Sequence, residues 1–215
     1  MIRPLTVGEH FFRECLLEMS KVTNLLLDQI AILDRMAQII NESRNDGGRL
    51  FFCGVGGGAG NGTHATGDLL KSCSIKAICL TDNIPTVTAI TNDEGWQEVF
   101  VAQLAIWGLN SKDVLFVLSV GGGDDVRNIS ANIVRAVGFA KTVGASVIGI
   151  VGREEGYTSQ YGDAVLIVPI VNQSRMTTHT EGMQAYLLHF ITEFLRIRSA
   201  KWESEEATNE KGEQK

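Results

Sequence analysis

The chain has 215 residues and a mass of 23.4 kDa, a size for one compact domain with a segment left for a tail or capping helix. Apolar residues make up 44% and charged residues 20%, which excludes a disordered chain. The formal charge of −6, with no block of Lys or Arg, argues against a nucleic-acid or membrane-surface role, because phosphate backbones need a basic footprint.

From about Gly8 to Ser43 the chain lacks proline and carries apolar residues at Phe11, Cys15, Leu16, Met19, Val22, Leu26, Ile30, Leu33, Ala37 and Ile40. Steps of three and four predict one long helix, or two broken near Thr23-Asn24, packed against another helix or another subunit. Asn45-Asp46-Gly47-Gly48 ends it. Short apolar runs then follow at Arg49–Gly54, Ile75–Leu80, Val114–Ser119, Val147–Val151 and Ala164–Val168, with helix-like stretches at Thr63–Cys73, Asp93–Trp107 and Asp125–Val143. Apolar strands alternating with helices predict an α/β fold with a five-stranded parallel sheet covered on both faces. A last helix is expected over about Glu181 to Ala200, and residues 201–215, with three Lys and five Glu, read as a polar, flexible tail.

No apolar run reaches membrane-span length, and the first ten residues hold no secretory-leader core. Cys15, Cys53, Cys73 and Cys79 show no CxxC spacing and read as reduced packing residues of a cytoplasmic protein.

In an open parallel sheet, ligands bind beyond the carboxyl ends of the strands. Two of those ends are glycine-rich here: Gly54-Val55-Gly56-Gly57-Gly58-Ala59-Gly60 after the first strand and Ser119-Val120-Gly121-Gly122-Gly123-Asp124-Asp125 after the third. Such turns can aim backbone N–H groups at an anion, or can simply need positive φ. Gly54, Gly56 and Ala59 also satisfy a loose dinucleotide GxGxxA with Asp82 following, a weak pattern behind a 40-residue helical segment. His64 and Asp68, four apart, share a helix face, and Glu181 and His189 lie two turns apart on the last helix. Two His and two carboxylates form an N/O donor set of the kind zinc accepts; each pair alone is also an ordinary solvated helix face.

These residues resemble the sugar isomerase (SIS) domain, and within it the phosphoheptose isomerases, from the N-terminal helices to about Arg198. The resemblance is carried by Gly47-Gly48-Arg49, Cys53-Gly54-Val55-Gly56-Gly57-Gly58, Thr88-Ala89-Ile90-Thr91-Asn92-Asp93-Glu94-Gly95-Trp96, Asp113-Val114-Leu115 and Val168-Pro169. It implies a single SIS domain over residues 1–200, a flavodoxin-like three-layer sandwich whose residues 1–45 form a helical oligomerisation segment. It implies conversion of sedoheptulose 7-phosphate, or a related sugar phosphate, to an aldoheptose 7-phosphate by enediol proton transfer, in a cytoplasmic homotetramer. By resemblance, His64, Asp68, Glu181 and His189 bind zinc or another divalent metal, and Asp68 and His189 also act as base and acid. Gly56, Gly57, Gly58, Asn92, Asp93, Ser119, Gly121, Gly122 and Asp124 are the implied sugar-phosphate contacts.

The chain departs from the family at several of these positions. Val55 and Gly58 stand where the family has Asn and Ser, Asp68 where it has Glu, and Glu181 where it has Gln. Of the Ser/Thr phosphate loop only Ser119 survives, and Asp124 and Asp125 would repel a dianion unless Arg127 or Arg175 offsets them. Two other readings fit such loops: a non-catalytic SIS adaptor or sugar-phosphate regulator of the DiaA-like kind, and an isomerase for an unphosphorylated sugar. Retention of both His64 and His189 favours an enzyme.

Overall fold

A computed structural model describes residues 3–212, with side chains to Arg198. Helix α1 (Val7–Leu26) opens on a capping box, Thr6 Oγ1 accepting from the Glu9 amide while Glu9 accepts from the Thr6 amide at 2.7 Å. A 3-10 turn over Leu27–Gln29 leads into α2 (Ile30–Asn45), so the break expected near Thr23 falls one turn later. Gln29 causes the change of direction: its side chain donates to the Ile167 carbonyl and accepts from the Ile167 amide, docking the turn on the sheet's edge strand. Gly47, at φ +74, ends α2 as its sequence predicts.

The five strands are β1 (Leu50–Gly54), β2 (Ala77–Cys79), β3 (Val114–Ser119), β4 (Ser146–Val151) and β5 (Ala164–Ile167). All pair in parallel in the order β2-β1-β3-β4-β5. Side chains alternate between two cores. Leu50, Phe52, Val114, Phe116, Ile148 and Leu166 face one core, shared with α1, α2 and the helices after β1 and β5. Phe51, Cys53, Leu115, Val117 and Val147 face the other, and Phe52 stacks on Phe116 with centroids 5.0 Å apart. Both faces are covered, as near-continuous apolar strands require.

Several helix limits differ from the sequence reading. Helix α3 spans Gly57–Cys73 and starts inside the glycine run. Helix α4 (Ile84–Asp93), capped by Asn83 with Pro85 in its first turn, was not foreseen. Gly95, at φ +100, then stops the expected Asp93–Trp107 helix, which survives as a 3-10 turn and α5 (Val99–Ile106). Helix α6 (Ala131–Thr142) starts late because Asp124 and Ile129 pair as an antiparallel bridge and Asn128 and Ser130 take positive φ. A short α7 (Tyr157–Tyr161) precedes β5. Helix α8 starts at Met176, earlier than expected, and runs to Gly212, through most of the segment read as a tail. No helix among the described residues is long and apolar enough to cross a membrane.

All four cysteines are free; Cys53, Cys73 and Cys79 are buried, and burial pushes the Cys53 thiol far above its ordinary value.

Candidate active site

The strand order reverses between β1 and β3, which opens a crevice at their carboxyl ends. Gly56, at φ +60, turns the chain from β1 into α3. Gly58 then lies against β3 so closely that a Cβ there would strike the Leu118 carbonyl. The helix is thus drawn onto the sheet by residues without side chains.

Helix α3 packs along α8. Asn61 Nδ2 donates to the Glu181 carbonyl at 2.9 Å and to Gln184 Oε1 at 3.3 Å, and Cys73 Sγ meets the Thr192 carbonyl at 3.4 Å. This register brings His64 and Asp68 opposite His189. Asp68 Oδ2 lies 3.2 Å from His64 Nε2 and 3.4 Å from His189 Nδ1, and the two imidazoles meet edge to face at 5.0 Å. One ligand atom from each of the three falls within 4.8 Å of the others. Two imidazole nitrogens and a half-buried carboxylate oxygen, open to solvent on one side, match a divalent-metal donor set with room for a further ligand.

Glu181 stands outside this trio. A Cβ on Gly57 would collide with its carboxylate, which therefore covers the first turn of α3. Gly56, Gly57 and Gly58 form that turn.

The second glycine loop forms a separate wall. Ser119 Oγ accepts from the Gly122 amide at 3.0 Å, and Gly122 and Gly123 take positive φ. Gly121, Gly123, Asp124, Arg127, Arg153 and Glu155 line a cavity of about 560 Å³ at the ends of β3 and β4. Asp124 accepts from the Arg127 amide at 2.7 Å and pairs with its guanidinium at 2.6 Å, which together hold its carboxyl below the ordinary range. Arg175 is turned elsewhere: it pairs with Glu18 at 2.7 Å and lies over the Phe11 ring. Asn172 and Arg175 hold the Glu18 carboxyl low.

Asn92 and Asp93 sit at the exposed end of α4, hydrogen-bonded to each other at 2.7 Å, outside both the trio and the cavity lining. Asp82 accepts from Thr63 Oγ1 at 2.5 Å, so the acid of the dinucleotide pattern is engaged within the fold. Sequence reasoning missed Arg153; its place two residues beyond β4, on the ligand-binding edge, was the available signal.

The profile of the SIS domain family matches residues 10–152. The phosphoheptose isomerase of Helicobacter pylori (strain P12) is 30% identical over 165 residues, covering 74% of this chain and 80% of the relative. That of Rhodospirillum rubrum is 34% identical over 160 residues, covering 72% and 79%. Among solved structures, phosphoheptose isomerase GmhA from Neisseria gonorrhoeae superposes with a TM-score of 0.75 at 25% identity, over 88% of this chain and 99% of that one.

Proposed function

Because the chain belongs to the SIS domain family and is an enzyme of the isomerase class, we propose that it is an aldose–ketose isomerase of the phosphoheptose isomerase type, acting on sedoheptulose 7-phosphate or a closely related sugar phosphate. The observation that carries this reading is the His64–Asp68–His189 trio, assembled from two helices beside the reversal point of the sheet. Solvated helix faces do not require three such groups to converge.

His64, Asp68 and His189 are the residues that would hold a divalent metal, zinc by donor type. When bound, such a metal polarises a carbonyl and stabilises charge developing on its oxygen. The remaining work falls to side chains. An aldose–ketose exchange removes a proton from the carbon next to the carbonyl and returns it to the neighbouring carbon. Asp68 is the base for that transfer, its Oδ2 held between two imidazoles. His189 moves the hydroxyl protons between the two oxygens, with its Nδ1 facing Asp68. Asp68 is one methylene shorter than the family's Glu, so the sugar must approach α3 more closely.

The homologues named phosphoheptose isomerase and the convergence of the trio both weigh against a non-catalytic adaptor, which has no use for the three groups together. The test is turnover of sedoheptulose 7-phosphate by metal-stripped and zinc-replenished protein, with His189→Ala alongside. Zinc-dependent turnover that falls by roughly 10²- to 10⁴-fold in the variant supports the assignment. Turnover at the parent rate in His189→Ala overturns it.

A further inference from the structure

One edge of the sheet faces a cavity that the trio does not use. β2 is an outermost strand, and its register with β1 turns the peptide groups of Ala77 and Cys79 outward. Both residues are buried, and the Cys79 carbonyl accepts from the Asp82 amide at 3.1 Å. Among the described residues, the Ala77 N–H and C=O and the Cys79 N–H have no partner in the chain. Buried backbone groups without a partner are rare, so an occupant of the cavity satisfies them.

The cavity in front of this edge has a volume of about 440 Å³, within the range of small-molecule sites. Helix α3 walls it on one side of the sheet with Thr66 and Leu70, and the end of α5 on the other with Ile106 and Trp107. Leu70, Ile106 and Trp107 are apolar yet exposed. The Thr66 hydroxyl is buried with no hydrogen-bond partner. Asp82 is exposed on the rim; its Oδ1 accepts from Thr63, and its Oδ2 has no partner among the described residues. None of the trio lines the cavity.

In an extended strand, the C=O of one residue and the N–H two residues on point side by side to the same edge. They match a planar ring that carries a donor next to an acceptor. Such a ring continues the plane of the sheet, so its two faces meet the walls from α3 and α5. A peptide strand presents the same pair of groups, but β2 has only three residues and offers it a single such pair. Apolar walls over both faces suit a flat ring better.

We infer that this cavity binds a nucleoside whose base carries an amino group beside an unprotonated ring nitrogen, as adenine and cytosine do. The Ala77 carbonyl accepts from the amino group and the Cys79 N–H donates to the ring nitrogen. Leu70 and Trp107 cover the two faces, and Thr66 supplies a further polar contact. Asp82 Oδ2 accepts from a ribose hydroxyl, and its charge opposes a phosphate, which selects the nucleoside over the nucleotide. The inference is independent of the isomerase reading.

The experiment is calorimetric titration of the full chain with adenosine and with cytidine, joined to hydrogen exchange over residues 77–79. Inosine and uridine are the matched controls, because each carries a ring N–H beside a carbonyl and so exchanges donor for acceptor. Adenosine, cytidine or both are expected to bind at least about tenfold more tightly than the matched control and to slow exchange at Cys79. Trp107→Ala is expected to weaken binding at least about fivefold, and Thr66→Val about two- to tenfold. The comparison of nucleosides is made on the parent protein, so it holds whether or not a variant folds. No binding by either nucleoside, equal binding by the matched control, or binding that leaves exchange at Cys79 unchanged overturns the inference. The 5′-monophosphate is expected to bind more weakly than its nucleoside; equal affinity overturns the role given to Asp82.

Discussion

The Glu181 carboxylate is aimed by the helix that carries it. Side chains on an α-helix lean toward its N-terminus, so Glu181, near the start of α8, points back over the first turn of α3. That turn carries the partial positive charge of unsatisfied backbone N–H groups, a favourable place for an anion. His189 lies eight residues on, about 12 Å along the axis. Spacing along the sequence placed the two on nearly one side but said nothing about this lean. The pairing of His64 with Asp68 was legible because both lie on one helix, four apart. The meeting of that pair with His189 depends on how α3 and α8 are set against each other, which Asn61 and Cys73 fix through contacts more than a hundred residues away in sequence. This gives a graded prediction for metal affinity, read by competition with a chelator. Removing an outer supporting group typically costs 10- to 100-fold, so losing a direct donor in His64→Ala should cost at least about tenfold. Glu181→Gln should cost less than His64→Ala, since its carboxylate rests on α3 and an amide oxygen can still ligate. Equal losses would mean that Glu181 is drawn into the trio when metal binds.

Helix α3 shows why element boundaries were harder to read than element identities. Glycine costs about 1 kcal/mol per residue in a helix relative to alanine, so a run of them reads as loop. Here packing overrides propensity. Gly58 rests on the Leu118 carbonyl, and a Cβ on Gly62 would press on Phe52 and Cys79 at 3.2 Å. The run is helical because only bare backbone fits so close to β1 and β3, and that closeness sets α3 beside the crevice. Gly60 is different: it is exposed and nothing lies within 4 Å of a Cβ built there. Gly58→Ala is therefore expected to cost about 1–3 kcal/mol through overpacking against backbone. Gly60→Ala is expected to be neutral or to stabilise by about 0.4–1 kcal/mol, by restricting the unfolded chain. Thermal melts of the two variants check this. A similar loss in both would mean that glycine is needed along α3 for some reason other than close approach.

For the whole molecule, the residues that carry the family resemblance serve chiefly as structure, which explains why the fold was more legible than the site. Gly48 lies where a Cβ would strike the Lys112 carbonyl, and Arg49 grips the buried Asp113 through its amide, Nε and Nη2, locking β1 to β3 at their starts. Gly95 supplies the positive φ that separates α4 from α5. Such positions specify one chain's fold. Assembly is specified by what the single chain leaves uncovered. Leu16, Leu27, Ile30, Tyr186 and Phe190 are large apolar residues exposed along one groove between α1, α2 and α8, and Phe194 continues the stripe. Contiguous apolar surface of this kind marks an association site, because leaving it in water forfeits about 25 cal/mol for each Å² that could be buried. The helical stripe from Gly8 to Ser43 contains more apolar positions than one chain can bury, so this face was foreshadowed in the sequence. We expect light scattering with size-exclusion chromatography to give a particle several times 23.4 kDa, the tetramer that the family resemblance implies. Leu16 is 71% exposed in the single chain, so Leu16→Glu should leave the fold and its circular dichroism intact while lowering the particle mass. A parent protein that elutes at 23.4 kDa would show that this face has another occupant. An unchanged mass for Leu16→Glu would move the interface away from α1.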